Sequence, residues 1–318
     1  MIMDGFLVVD KPPGVTSHDI VAVVRAVTGL KKVGHTGTLD PFATGVLPLA
    51  LGGATRLIAY LDESVKIYDC VVQLGARTDT GDPTGTVIEE KPVPPLRQAE
   101  VEAVLATFLG MRDQVPPKYS AVKVQGRPLY AYARAGEEVE ARARPIRIER
   151  MELVELAPER LRVRIHCSRG TYARVIAEEI GEALGTVGHL SELRREGSGN
   201  FLLEQAISMS RLSTIVAGSP EWVKVLKPTR REDRVQWRDR PSIITGLQSF
   251  LLSGRQALAH LPTMTLSSIE ARRFLQTGLA PANARGGDRA MLLLEGSDVV
   301  GVVPPGGQKA VVLAREAT

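Results

Sequence analysis

The strictest local pattern in the chain is Arg160-Leu161-Arg162-Val163-Arg164-Ile165-His166. Leu161, Val163 and Ile165 fall on one side of a two-residue period, and Arg162, Arg164 and His166 on the other. Such a run has to be a half-buried strand with an apolar face and a basic face. On its own, the basic face reads as a solvated strand surface. Lys66–Gly75 alternates in the same way, and Gly5–Val9 reads as a buried strand. Gly45–Arg56 reads as a buried strand that turns at Gly52-Gly53 into a helix around Arg56–Leu61. Helical spacings lie between these runs. Ile20, Val23, Val24 and Val27 share a face, with Ser17 as N-cap and Gly29 as stop. Further helices are expected over residues 96–109, over Leu129–Ala135 and from Val175 to Leu184, with Gly185 closing the last. A short strand is expected within 187–199.

Its 318 residues are enough for two domains and a sizeable core. Hydrophobic residues make up 44% and charged residues 24%, as in an ordinary globular protein. A net charge of +4 permits a polyanionic partner without requiring one. Cys70 and Cys167 lie far apart in apolar runs, without metal-ligand spacing, and are expected to be buried free thiols in a reducing cytoplasm. No secretory signal is expected at the N-terminus, nor any membrane-spanning run. The 5 His residues are scattered singly, so no metal centre is expected.

Composition shifts near residue 210. Residues 224–240 hold seven Lys/Arg against three Asp/Glu, and Trp222 and Trp237 lie in or beside this stretch. The expected organisation is a catalytic domain over 1–212, a basic linker or insertion over 213–258 and a small β-rich module over 259–318. That module is expected to contain a helix over Ser267–Thr277 and strands over Ala290–Leu294, Val299–Val303 and Ala310–Leu313.

The run Gly34-His35-Thr36-Gly37-Thr38-Leu39-Asp40-Pro41 places one carboxylate at the end of a stiff, glycine-rich loop. Read alone it is a turn. A second loop, after Asp10, has Lys11 at its mouth. The polar run 77–86 reads as a solvated loop; its acidic residues lack EF-hand spacing. Phosphate-binding, dinucleotide-binding, metalloprotease and serine-hydrolase motifs are all missing. What remains is one carboxylate, a few tyrosines and arginines at turn ends, notably Arg169, Tyr172 and Arg174. Arginine forks fit phosphate oxygens, aromatic rings stack on bases, and a lone carboxylate suits nucleophilic or base catalysis at a sugar carbon.

The sequence from Gly34 to Leu47 resembles the catalytic motif of the TruB family of tRNA pseudouridine synthases. Four further blocks agree in order: Val9–Ser17, Lys66–Tyr68, Tyr119–Lys123 and Cys167–Arg174, the last continued by Leu190–Arg195. The resemblance covers residues 5 to about 210. It implies the pseudouridine synthase fold, α+β, with a central, mostly antiparallel mixed sheet flanked by helices. His260-Leu261-Pro262 and Leu266-Ser267 resemble the start of a PUA-like RNA-binding domain.

The implied reaction isomerises the uridine at position fifty-five of the tRNA T loop, after extrusion of the base. Neither cofactor nor metal is implied. Asp40 would be the catalytic aspartate, acting on C1′ or on a ribose proton. Tyr68 would stack under the base and handle a proton. Arg174 would pair with the aspartate, and His35 would take the place of the flipped base. Tyr172, Leu193 and Lys11 complete the implied substrate-binding set. The expected partner is the tRNA T-arm, in the cytoplasm, with no membrane, no obligatory protein partner and a monomeric protein. The alternatives are action on another RNA, a non-catalytic tRNA chaperone, and a glycosidase of free nucleosides. The basic 160–166 strand and the Arg-rich 142–150 stretch speak against the glycosidase.

Overall fold

The computed structural model describes residues 3–62, 65–219, 221, 238–284, 287–307 and 309–313. Trp222, Trp237 and most of the basic 224–240 run lie outside the described residues. Two compact units divide the chain. One comprises Met1–Pro41, Gly45–Asp62 and Gly199–Thr318, and the other Phe42–Thr44 and Glu63–Ser198.

The first unit opens with β1 (Gly5–Lys11), α1 (Ser17–Thr28), β2 (Val33–His35) and β3 (Thr44–Leu51). β1 and β2 both pair antiparallel with β3. The N-cap of α1 is Thr16, in a reciprocal capping box with Asp19, rather than the expected Ser17. Ser17 is buried, and its hydroxyl is used elsewhere. Gly29 ends the helix in the left-handed conformation, at φ 74°. Gly52–Tyr60 forms a 3-10 run where an ordinary helix was expected.

The second unit carries β4 (Lys66–Leu74), β5 (Ala76–Thr78), β6 (Val87–Glu90), α2 (Gln98–Ala106), β7 (Gly110–Gln114), β8 (Lys123–Val124) and β9 (Arg127–Pro128). These lead to α3 (Leu129–Ala135), β10 (Arg144–Ala157), β11 (Arg160–Cys167), α4 (Ala173–Ala183) and β12 (Gly188–Ser198). Its sheet has the order β12-β4-β11-β10-β7. Every pairing in it is antiparallel. The expected short strand after residue 187 is the 11-residue β12. Register puts Ile165, Tyr68 and Arg195 side by side, then Val163, Cys70 and Leu193. The two-residue period places both rows on one face, the apolar one. Arg164, Asp69 and Arg194 align on the opposite face. α4 packs against β12 and β4, and Ile176 and Ile180 are buried in it.

The chain then re-enters the first unit with β13 (Phe201–Leu202), β14 (Ile207–Ser208), α5 (Met209–Ala217), α6 (Arg240–Gln248), β15 (Leu251–Leu252) and the single turn α7 (Gly254–Ala257). It ends with β16 (Thr263–Thr265), α8 (Ser268–Thr277), β17 (Met291–Glu295), β18 (Asp298–Val303) and β19 (Val311–Val312). β14 adds to β1 in parallel and β15 adds antiparallel. The last four strands form their own sheet, β16-β17-β18-β19. One face, with Leu292, Leu294 and Val302, packs with Phe6, Val8, Val46 and Leu57. The other, with Leu293, Val300 and Val303, packs on Phe274 of α8. Among the described residues no helix is long and apolar enough to cross a membrane.

Gly181 lets α4 touch the chain entering β12. A Cβ there would lie 2.5 Å from Gly188 N and 2.6 Å from the Val187 carbonyl carbon, both backbone atoms that cannot step aside. Alanine usually favours a helix, but Gly181→Ala is expected to destabilise this one by about 1–3 kcal/mol through overpacking. Urea denaturation checks the sign.

Candidate active site

Within the first unit, Asp40 is half-buried and both of its neighbours in sequence are pinned. On one side, Ser17 Oγ donates to Leu39 O at 3.2 Å and accepts from Leu39 N–H at 2.9 Å. On the other, the carbonyl of Pro41 accepts from Gly14 N–H at 2.8 Å and from Lys11 Nζ at 3.2 Å. Lys11 is 0% exposed. Its ammonium also donates to Pro12 O at 2.9 Å and Val15 O at 2.8 Å. Charge-assisted bonds to carbonyls offset the cost of burying the ammonium. Lys11 was expected at a loop mouth, in contact with substrate. It instead closes β1 and ties the 12–15 turn to the Asp40 loop, and in this structure its ammonium is covered. His35 is half-buried on β2, paired with Leu49 of β3. Thr36 N–H donates to Pro48 O at 3.1 Å, which holds the start of the loop.

Within the second unit, Tyr68 and Leu193 share the apolar sheet face, and Tyr172 and Arg174 stand at the start of α4. Leu193 O accepts from Thr44 Oγ1 at 3.4 Å, and Thr44 Oγ1 accepts from Arg194 Nη1 at 3.3 Å. Gln114 grips Tyr172 from both sides. Its Oε1 accepts from Tyr172 N–H at 2.8 Å, and its Nε2 donates to Tyr172 O at 3.2 Å.

Arg174 is 4% exposed. It donates to Thr80 O at 3.0 Å and Tyr119 O at 2.8 Å, and lies 3.7 Å from an Asp82 carboxylate oxygen. Sequence reading missed Asp82 and Gln114, both of which are buried. The 77–86 run was expected to be solvated, yet Thr78 and Asp82 are buried in it. Asp82 accepts from Thr80 Oγ1 at 2.9 Å and Thr84 N–H at 2.9 Å, closing the turn between β5 and β6. Its polar composition, which suggested solvent, serves to satisfy the buried carboxylate.

The basic face of β11 is exposed or half-exposed, as its alternation implies, and two of its arginines are paired there. Arg162 Nε donates to both Asp69 carboxylate oxygens, at 2.8 and 3.1 Å, and Arg164 makes a bidentate contact with Glu196 at 2.9 and 3.2 Å. The charge of these two arginines is locally neutralised, so it no longer argues for a polyanion surface.

Burial pushes the Tyr68 phenol up to about 12, against the opposing pull of the Arg195 guanidinium beside it. Burial also pushes the Cys167 thiol up to about 12 and the Cys70 thiol well above its ordinary value. Both cysteines are free and buried, as expected.

The TruB family pseudouridylate synthase N-terminal domain matches residues 25–173, and the tRNA pseudouridylate synthase B C-terminal domain matches 174–229. The tRNA pseudouridine synthase B of Geobacter sulfurreducens is 42% identical over 279 residues, covering 88% of this chain and 83% of its own. That of Synechococcus sp. is 40% identical over 306 residues, 95% of this chain and 94% of its own. Among solved structures, a Cbf5-Nop10-Gar1 complex aligns over 98% of this chain and 81% of that chain, with a TM-score of 0.65 at 24% identity. That likeness shows the fold, the mixed-sheet pseudouridine synthase architecture with a small C-terminal β sheet. This is an isomerase that converts uridine to pseudouridine. The chain belongs to the TruB family of pseudouridylate synthases.

Two outcomes follow from this geometry. Ser17→Ala leaves the Leu39 amide and carbonyl without that hydroxyl. It is expected to cost about 1–3 kcal/mol in urea denaturation and to slow pseudouridine formation roughly tenfold as Asp40 loses its fixed position. The second concerns pH. Tyr68 and Cys167 have folded pKa values above their unfolded ones of 10.0 and 9.0. The folded state therefore binds these protons more tightly, and their stability contribution is complete below about pH 9 and is lost as pH rises toward 12. Denaturation midpoints are expected to fall between pH 8 and 11, and to fall less in Tyr68→Phe.

Proposed function

We propose that this protein converts the uridine at position fifty-five of the tRNA T loop to pseudouridine, with Asp40 as the catalytic carboxylate. The observation that carries this reading is the double pinning of the Asp40 loop, through Ser17 at Leu39 and through Lys11 and Gly14 at Pro41. A turn without a chemical task needs no buried ammonium beneath it. A carboxylate that must meet one sugar carbon does need a fixed position. The names of relatives aligned over most of their length, each a tRNA pseudouridine synthase B, support tRNA as the substrate.

In the reaction the N1–C1′ bond breaks, the uracil turns, C5 bonds to C1′, and one proton leaves C5 while one arrives at N1. Nothing is gained or lost overall. Ionised Asp40 starts either route, by attack at C1′ or by removal of the C2′ proton. Base extrusion exposes the reacting atoms. His35 takes the vacated place in the RNA loop. Tyr68 lies under the base and handles a proton, and Leu193, Tyr172 and Arg174 complete the contacts to the flipped nucleotide. Lys11 acts on the substrate through the Asp40 loop it holds. Residues 259–318 serve as a further RNA-binding module. The protein works as a monomer without an obligatory protein partner.

The competing reading is a tRNA-folding chaperone without catalysis. Asp40→Asn separates the two. Pseudouridine in a T-loop transcript is expected to fall below detection, with tRNA affinity kept within about threefold of wild type. Persistent product formation would falsify the catalytic assignment.

A further inference from the structure

The sheet of the second unit buries an arginine that the proposed reaction has not yet used. Arg195 is 1% exposed, among the largest fully buried side chains in the protein. Placing a guanidinium there costs several kcal/mol unless donors and charge are matched. Arg195 sits on β12 directly opposite Tyr68 on β4. The pair faces each other across the two strands, and the guanidinium lies near enough to the Tyr68 phenol to pull against the effect of its burial. On the far side of Tyr68 the row continues with Ile165, and the neighbouring row presents Cys70 and Leu193. Apart from Arg195, those neighbours supply no strong hydrogen-bonding group.

A guanidinium has only donors. A hydrogen bond between the two can therefore run only from Arg195 to the Tyr68 oxygen. The phenolic proton is directed away from Arg195, and Tyr68 keeps its own O–H as a donor for something other than the protein strand that holds it. The same cation stands ready to stabilise the phenol oxygen when it carries negative charge. A lysine would supply the charge but not the planar fork.

We infer that Arg195 is a positioning residue for the isomerisation, acting through Tyr68: it fixes the ring and aims the phenolic hydroxyl at the flipped uridine. The inference rests on the assignment of Tyr68 to proton handling made above. Arg195 touches neither base nor sugar in this account, and its effect on the rate passes through one oxygen atom.

A double-mutant cycle tests this. Wild type, Arg195→Met, Tyr68→Phe and the double variant are compared for single-turnover pseudouridine formation and for tRNA affinity. Arg195→Met is expected to slow the single-turnover rate about tenfold or more, in the range of proton-transfer contributions, with tRNA affinity within about threefold. In the Tyr68→Phe background, which lacks the oxygen, the same substitution is expected to change the rate less than about twofold. Arg195→Lys is expected to recover part of the rate when Tyr68 is present and none when it is absent. If Arg195→Met does not fold, the Arg195→Lys protein carries the same cycle. Equal slowing in both backgrounds would overturn the inference, because Arg195 would then act independently of the hydroxyl. A wild-type protein inactive on the T-loop transcript would instead overturn the substrate reading, and the inference with it.

Discussion

A buried ammonium organises the first unit. Lys11 ends β1 with its charge inside the protein, and carbonyl oxygens of Pro12, Val15 and Pro41 receive it. Burying an unmatched charge is among the most costly things a fold can do. The backbone around Lys11 is therefore constrained to keep those oxygens in place. Two loops far apart in sequence, 12–15 and the one ending at Pro41, become one rigid object. Asp40 is carried by that object.

The second unit solves a related problem with an arginine. Arg174 opens α4 while buried, and the Thr80 and Tyr119 carbonyls with the Asp82 carboxylate satisfy it. Gln114 on the edge strand β7 fixes the Tyr172 backbone two residues earlier. Arg195 is held on β12 opposite Tyr68. In each unit a cation taken out of water fixes a piece of backbone. Loss of one of these contacts removes both a buried hydrogen bond and a position.

Much of the fold was legible because period and punctuation are local. The alternation at 160–166 became β11, Gly29 became the left-handed cap of α1, and the three expected C-terminal strands became β17, β18 and β19. Ser17 was misread because a serine before a helix looks like a cap; its real partner, Leu39, lies 22 residues away. Lys11 was placed at a loop mouth, and the partner of Arg162 went unseen, because sequence does not show what faces a side chain. Lys11 meets backbone carbonyls, which every residue has, and Arg162, exposed as expected, meets Asp69 on a neighbouring strand. Asp82 was hidden because a polar run reads as solvated even when its hydroxyls serve a buried carboxylate. Asp40 stands out in the sequence only through several motifs together, since a glycine-rich loop ending in Asp-Pro is by itself an ordinary turn.

The central claim is that the pinned Asp40 loop performs uridine isomerisation at one position of the tRNA T loop. The most direct measurement maps pseudouridine in total tRNA from cells with and without this protein. The account predicts loss of the signal at T-loop position fifty-five in its absence, and return of the signal with the wild-type protein but not with Asp40→Asn. An unchanged signal in cells lacking the protein, or full return with Asp40→Asn, would contradict it.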